Sequence, residues 1–304
     1  MNLLLDQVII FVIALFIDLW IGDPPERLEK FYPIVWISRL MYFFDRMTLR
    51  GNERRERMLG AMYAILIVTA FSVPCLMLSL LKSEVLYIVF SAIIFKMTFT
   101  LKGLERYGLN VWSAENLEAK RAAVWNIVSR DVSDMDMKHL DSATVESVAE
   151  NLTDSVIAPF LYFFLFGTSG AMIYRVINTS DAVVGYRTNR YEHFGWFSAK
   201  ADDVLNYIPE RIATGLILVT SKSRLRDVKI LTTENVRVHL TIVAMSSALR
   251  VHLEKLGYYS VAGTGFEDAS AKHITGAIRI VKRSTFIFAA GYLIVTSLLY
   301  VMWC

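Results

Sequence analysis

Uncharged apolar runs of about twenty residues, set between stretches dense in charge, organise this chain. A helix rising about 1.5 Å per residue needs about 20 apolar residues to cross the hydrocarbon core of a bilayer. Residues 59–81 offer 23 without a charge and residues 285–304 offer 20, so both predict spanning helices. Residues 3–21 carry Asp6 and Asp18, and residues 85–101 carry Lys96. Ionisable groups at that depth must snorkel or find partners. On that condition the two runs predict further spans, about four in all. Residues 155–174 are again 20 uncharged positions, but Pro159 and the cluster Gly167-Thr168-Ser169-Gly170 interrupt them. Such breaks predict a re-entrant helical hairpin that enters the membrane and returns. Stretches 102–154 and 175–284 mix polar and apolar positions with helical period and few prolines, and show no strand-type alternation of any length.

The predicted fold class is therefore all-α, a polytopic integral membrane protein forming a single domain over 1–304. Three spans occupy 1–101, a mainly cytoplasmic helical catalytic region fills 102–284 with the hairpin at 155–174, and a last span covers 285–304. Loop charge agrees: segment 22–58 carries eight Lys and Arg, 82–84 one and 102–154 six. The excess of Lys and Arg places the first and third segments in the cytoplasm. A hairpin keeps Arg175, Arg187, Arg190, Lys200 and Arg211 on that side, whereas a full crossing would need another span near 212–221.

Composition narrows the function. Of 304 residues 55% are hydrophobic and the mean hydropathy is +0.42, which points to a lipid bilayer as solvent and a multi-pass cell-membrane location. Lys and Arg number 32 against 29 Asp and Glu, a net charge of +3 that suggests no nucleic-acid partner. Cys75 and Cys304 make neither a disulfide framework nor a zinc site. The first 21 residues lack the basic start and cleavage site of a secretory signal, so they read as an uncleaved span.

Two polar constellations stand out. Glu146, Glu150 and Asp154 recur every four positions on one predicted helix face that runs into the hairpin. Like charges at that spacing repel by a few tenths of a kcal/mol per pair. A hard cation such as Mg2+ turns that repulsion into binding, because it prefers carboxylate oxygens and keeps water for a phosphate; a solvated acidic face is the even alternative. Asn151 lies within this row. Upstream, Ser129-Arg130-Asp131 with Asp134 and Asp136 is rich in cap formers, and Asp136 reads as a helix N-cap. The second constellation holds Arg175, Asn178, Asp181, Tyr186, Arg187, Arg190, Asp202, Asp203 and Asn206. Arg forks suit phosphate oxygens. Asn178 with Asp181 and Asp202 with Asn206 each share a helical face, as ordinary surface pairs also do. A juxtamembrane strip alternating Arg, acids and aromatics suits an anionic, planar ligand.

Asp18 and the Gly22-Asp23-Pro24-Pro25 turn end the first helix, and Asp18 reads as interfacial. The five histidines show no metal-ligand spacing. The chain has no Gly-x-x-x-x-Gly-Lys-Ser/Thr loop, dinucleotide glycine fingerprint or Gly-x-Ser-x-Gly elbow, so any nucleotide chemistry uses another design.

Taken in order, these residues resemble the adenosylcobinamide-phosphate synthases, integral-membrane enzymes of cobalamin biosynthesis, in their archaeal style. The likeness rests on Ile17-Asp18-Leu19-Trp20-Ile21-Gly22-Asp23-Pro24-Pro25, on Ser129-Arg130-Asp131-Val132-Ser133-Asp134, and on Glu146-Ser147-Val148-Ala149-Glu150-Asn151-Leu152-Thr153-Asp154 with Ala158-Pro159. It continues through Tyr174-Arg175-Val176-Ile177-Asn178-Thr179, Gly185-Tyr186-Arg187, Phe194-Gly195-Trp196 and Asp202-Asp203-Val204-Leu205-Asn206. The chain departs from the family at Tyr32, where His is common, and at Ser38, where Gly is. It also reads Asn235-Val236-Arg237-Val238-His239 where the family usually carries Ser-Pro-Asn-x-Gly.

The resemblance implies an ATP-dependent ligation of adenosylcobyric acid to an aminopropanol phosphate, giving adenosylcobinamide phosphate. It implies Mg2+ on Glu146, Glu150 and Asp154 with Asp131, and phosphates on Arg130, Arg175, Arg187 and Arg190. Asn178, Asp181, Asp202, Asp203 and Asn206, with Tyr186, would orient the amine or the corrinoid. Its partners would be the corrinoid, the amino-alcohol phosphate, the lipid bilayer and other membrane enzymes of the pathway. Two rivals stay open: a multi-pass transporter lined by Asp6, Asp18 and Lys96, and a noncatalytic corrinoid-binding scaffold suggested by the change at Arg237 and His239.

Overall fold

The computed structural model describes residues 3–24, 28, 30–128, 130–186, 188–225, 228–233 and 236–303. Eleven helices of eight or more residues are named here: α1 (Leu3–Trp20), α2 (Pro33–Met47), α3 (Glu53–Met77), α4 (Glu84–Lys96), α5 (Lys102–Trp112), α6 (Leu117–Trp125), α7 (Met137–Leu152), α8 (Ala158–Val184), α9 (Trp196–Ser221), α10 (Leu240–Leu249) and α11 (Ala271–Trp303). A π turn, Thr153–Ile157, joins α7 to α8. Three runs are long and apolar enough to cross a membrane by length and composition: Glu53–Leu80, Met137–Val184 and Ala271–Met302. The chain divides into two compact units, one of residues 1–100, 158–207 and 292–304, the other of 101–157 and 208–291.

In the first unit α8 is a hairpin. Gly167 takes φ +64° and ψ −156°, left-handed backbone that favours glycine, and splits the helix there. Tyr162 and Tyr174, which a straight helix would separate by about 18 Å, stack with ring centroids 5.3 Å apart. A Cβ on Gly170 would lie 2.5 Å from the Tyr162 carbonyl oxygen, so the two limbs touch where only hydrogen fits. Aromatic rings pack the hairpin's first limb. Phe95 stacks on Phe163 at 3.9 Å, and Phe11 meets Phe160 edge-on at 4.9 Å and stacks on Tyr292 at 4.1 Å. The second limb packs Met172, Val176, Val183 and Val184 against Ile37 and Met41 of α2 and Ile67 of α3.

The run 85–101 is helical only over Glu84–Lys96, 13 residues, or about 20 Å, shorter than the hydrocarbon core. The reason is Lys96. Its Nζ lies 3.0 Å from Asp18 Oδ1 and 3.1 Å from Asp23 Oδ1, and Thr100 Oγ1 donates to Asp23 Oδ2 at 2.8 Å. The chain turns inward to close this ion cluster. Asp18, expected at the interface, is fully buried in it.

In the second unit α7 is the central helix, buried around its circumference from Leu140 to Ala149. Asp136 caps it, accepting from His139 N at 3.0 Å. Helices α5, α6 and α10 and a small sheet pack around it. The sheet comprises β1 (Val228–Thr232), β2 (Val251–Lys255), β3 (Tyr259–Gly263) and β4 (Glu267–Asp268), in the order β1-β3-β2-β4. Strands β1 and β2 run antiparallel to β3, and β4 runs parallel to β2. The sequence predicts no strands here because each is five residues or fewer, too short for its alternation to register. Only Val251, Leu253, Tyr259 and Val261 turn inward.

Candidate functional site

The carboxylate row lies in the second unit. Glu146 is tied down at both oxygens: Ser142 Oγ donates to Oε1 at 2.7 Å, and Tyr259 OH and Arg130 Nη2 donate to Oε2 at 2.6 and 3.3 Å. Arg130 Nη1 is buried without a hydrogen-bond acceptor among the described residues. One turn on, Glu150 keeps a partly exposed side chain, its Oε1 3.9 Å from His239 Nε2. Asn151 donates to the Ser147 carbonyl at 2.9 Å and accepts from Ser155 Oγ at 2.8 Å, which braces the π turn. That turn, in which Asp154 sits, widens the helix by about one residue. Asp131 lies in a turn, where the Ser133 backbone N–H holds its carboxyl below the usual range.

Glu210 of α9 was not expected and joins the row. It is 2% exposed and accepts from Arg237 Nη2 at 2.6 Å and from Leu240 N at 2.9 Å, so it caps α10. His239 Nδ1 lies 3.4 Å from the same carboxylate, which places the imidazole between Glu210 and Glu150. Withdrawal from water opposes the imidazolium, but the bond to Glu210 and the charges of Glu150 and Asp154 prevail and lift it to about 9. Burial and the Glu146 and Glu150 carboxylates push the Tyr259 phenol well above its ordinary range, so it stays a donor. The departures at Arg237 and His239 are thus built into the row. Glu210 was legible as the next face position after Asp202 and Asn206 on their helix; nothing in the sequence marks Tyr259.

The second constellation lies in the first unit as a hydrogen-bonded chain. Arg175 donates through Nε to the Thr98 carbonyl at 2.7 Å, again to it through Nη2, and through Nη1 to Asn178 Oδ1 at 3.2 Å. Asn178 Nδ2 and Asn206 Nδ2 donate to the two oxygens of Asp202 at 3.2 and 2.9 Å, and Tyr174 OH donates to Asn206 at 2.9 Å. Asp181 folds over Gly185, where a Cβ would clash with its carboxylate. Asp203 pairs at the surface with Lys200, and Tyr186 is exposed. Arg190, expected on phosphate, instead clamps Asp45 Oδ2 through Nε at 3.0 Å and Nη2 at 2.5 Å. Asp45 also holds Arg50, which donates to Glu56 at 2.9 Å. Arg187 lies outside the described residues.

Mg2+ does not fit the expected triad of Glu146, Glu150 and Asp154 as it stands. Protein donors occupy both oxygens of Glu146, and the described residues include no group of three His, Cys, Asp or Glu placed to hold a metal ion. The row instead offers a buried guanidinium N–H without an acceptor, beside a carboxylate open to solvent.

Residues 11–281 match the family described as CobD/Cbib protein. The chain is 37% identical over 289 residues to a probable cobalamin biosynthesis protein CobD of Thermococcus kodakarensis, covering 95% of this chain and 94% of that one. A probable cobalamin biosynthesis protein CobD of Pyrococcus abyssi is 36% identical, with 91% and 93% covered. The cobalamin biosynthesis protein CobD of Dehalococcoides mccartyi is 35% identical, with 84% and 87% covered. No solved structure gives a significant match.

Proposed function

The chain belongs to the CobD/Cbib family, and from that premise we propose that it is a multi-pass cell-membrane enzyme of cobalamin biosynthesis. In this reading it joins a carboxylate of adenosylcobyric acid to the amine of an aminopropanol phosphate. Carboxylate and ammonium do not condense unaided. The acid oxygen attacks the γ-phosphorus of ATP and expels ADP. The amine then attacks the acyl carbon, phosphate leaves, and the nitrogen gives up a proton. Its partners are the corrinoid, the amino-alcohol phosphate, the surrounding lipid and neighbouring membrane enzymes of the pathway.

The observation that carries this reading is Arg130. A buried guanidinium N–H without an acceptor costs about 1–3 kcal/mol or more, and Arg130 Nη1 is such a group. A phosphoryl or carboxylate oxygen would satisfy it with a charge-assisted bond. Glu150, unlike Glu146, is reachable by solvent and is the carboxylate suited to take the proton from the incoming amine. Glu146 holds Arg130 in place. The Mg2+ expected with ATP would enter on the nucleotide phosphates rather than on Glu146.

Of the transporter rival's three residues, Asp18 and Lys96 pair with one another and Lys96 with Asp23, which speaks against a pathway through those two. Purified protein incubated with adenosylcobyric acid, aminopropanol phosphate, ATP and Mg2+ should yield adenosylcobinamide phosphate and ADP by mass spectrometry. Absence of both products would refute the ligase reading.

A further inference from the structure

Between residues 222 and 270 of the second unit, the exposed large apolar side chains among the described residues are Ile230, Leu231, Leu256 and Tyr258. All four lie on β1 or on the turn between β2 and β3. Gly257, at φ +75°, makes that turn and leaves Leu256 and Tyr258 on either side of it, each about half exposed. The Thr233 N–H donates to the Tyr258 carbonyl at 2.9 Å, which draws the end of β1, with Leu231 71% exposed, against the turn. Apolar side chains exposed singly are ordinary, but a group at one end of a sheet marks a contact surface.

The packing of the second unit gives the level at which this surface lies. Strand β2 runs alongside α7 in the same direction. Glu254 N donates to Ser142 Oγ at 2.8 Å, Tyr259 OH reaches Glu146 just past the turn, and the Lys255 charge bears on Glu150. The turn therefore lies toward the end of α7 where the uncharged run 155–174 begins. From Glu150 to Ser155 a helix advances about 8 Å, and the headgroup layer on each face of the hydrocarbon core is about 5–8 Å thick. The residue types suit that layer. Lys255 holds its Nζ 5.1 Å from the centre of the Tyr258 ring, and Lys229 is exposed on β1. A tyrosine and lysines flanking leucines bury apolar stems in lipid while keeping hydroxyl and ammonium groups among the phosphates.

We propose that the β2–β3 turn, with Leu231 beside it, inserts into the headgroup layer of the bilayer. The short sheet is then a membrane anchor within a stretch, 175–284, whose mixed polarity otherwise reads as mainly cytoplasmic. The inference rests on the reading of the chain as a membrane protein, and its test separates the two.

The full chain is reconstituted in vesicles of equal parts phosphatidylcholine and phosphatidylglycerol, with Cys304→Ser throughout and buried Cys75 left in place. A bimane fluorophore is attached in turn to Leu256→Cys, to Val295→Cys, an exposed position of α11 within the apolar run, and to Lys138→Cys at the start of α7. The Leu256 label should lose most of its emission to phospholipid carrying a doxyl group near the headgroup and little to aqueous iodide. The Lys138 label should do the reverse, and the Val295 label should respond most to a doxyl group near the chain end. Leu231→Cys reports on the same patch if Leu256→Cys extracts poorly. A Leu256 label quenched by iodide like that at Lys138, or shielded from both quenchers as under a second copy of the chain, would overturn the anchor while the Val295 label upholds the membrane reading. A Val295 label that lipid does not quench would defeat the membrane reading and the anchor with it.

Discussion

Tyr259 donates its hydroxyl to Glu146 at 2.6 Å, joining strand β3 to the centre of helix α7 through two buried side chains 113 positions apart. This bond makes Glu146 a structural carboxylate. Tyr259→Phe leaves Glu146 one donor short and is expected to cost about 1–3 kcal/mol of stability, read as a lowered unfolding temperature in detergent. Retained stability would mean that Ser142 and Arg130 suffice.

Glu150→Gln and Arg130→Ala should behave differently. Glu150 is partly open to solvent, so Glu150→Gln should fold with little change in melting temperature, whereas Arg130→Ala also takes one donor from Glu146 and should lower it; both should lose turnover by about a hundredfold or more. Product formation at near wild-type rate in both would remove these residues from the chemistry.

His239 sets a pH dependence whose sign follows from its shift. Its folded-state value, about 9, lies above the ordinary 6.5, so the imidazolium stabilises the fold fully below about pH 6.5 and loses that contribution as pH rises through about 9. The melting-temperature gap between wild type and His239→Asn should be widest in mild acid and close toward pH 9. Glu210, held below its usual range despite burial by His239, Leu240 N and Arg237, acts in the opposite sense and loses its contribution in acid. A gap constant from pH 6 to 10 would contradict the assignment.

Lys96→Met strips the counter-charge from Asp18 and Asp23. Removing one partner of a buried ion cluster costs about 3–5 kcal/mol, so the variant should extract poorly or unfold early. A well-folded Lys96→Met protein would reopen the pathway reading for these residues.

Gly60→Ala tests packing in the first unit. A Cβ there would lie 1.9 Å from the Phe194 carbonyl oxygen, and overpacking of this kind costs about 1–3 kcal/mol. Thermal unfolding of the variant is the measurement.

Helices and the hairpin were legible because they depend on local signals: apolar length for Glu53–Leu80 and Ala271–Met302, and a glycine cluster at the Gly167 reversal. The polar groups were legible as residue types, since Glu146, Glu150, Asn178, Asp202 and Asn206 all take part in networks. Their partners were not. Which carboxylate is tied down depends on Tyr259, and which arginine is committed depends on Asp45, contacts across 113 and 145 positions that periodicity does not encode. The π turn was not legible either, because helical period alone does not foresee the widened turn in which Asp154 sits.

The Glu210 clamp carries a historical consequence. Its carboxylate is sealed from water, and Arg237, 27 positions downstream, answers it directly. Loss of Arg237 alone leaves the buried carboxylate with only His239 and Leu240 N beside it, so the two should be inherited as a pair. Lineages that keep a small neutral side chain at 237 are expected either to have lost the acid at 210 or to have recruited a different cation beside it.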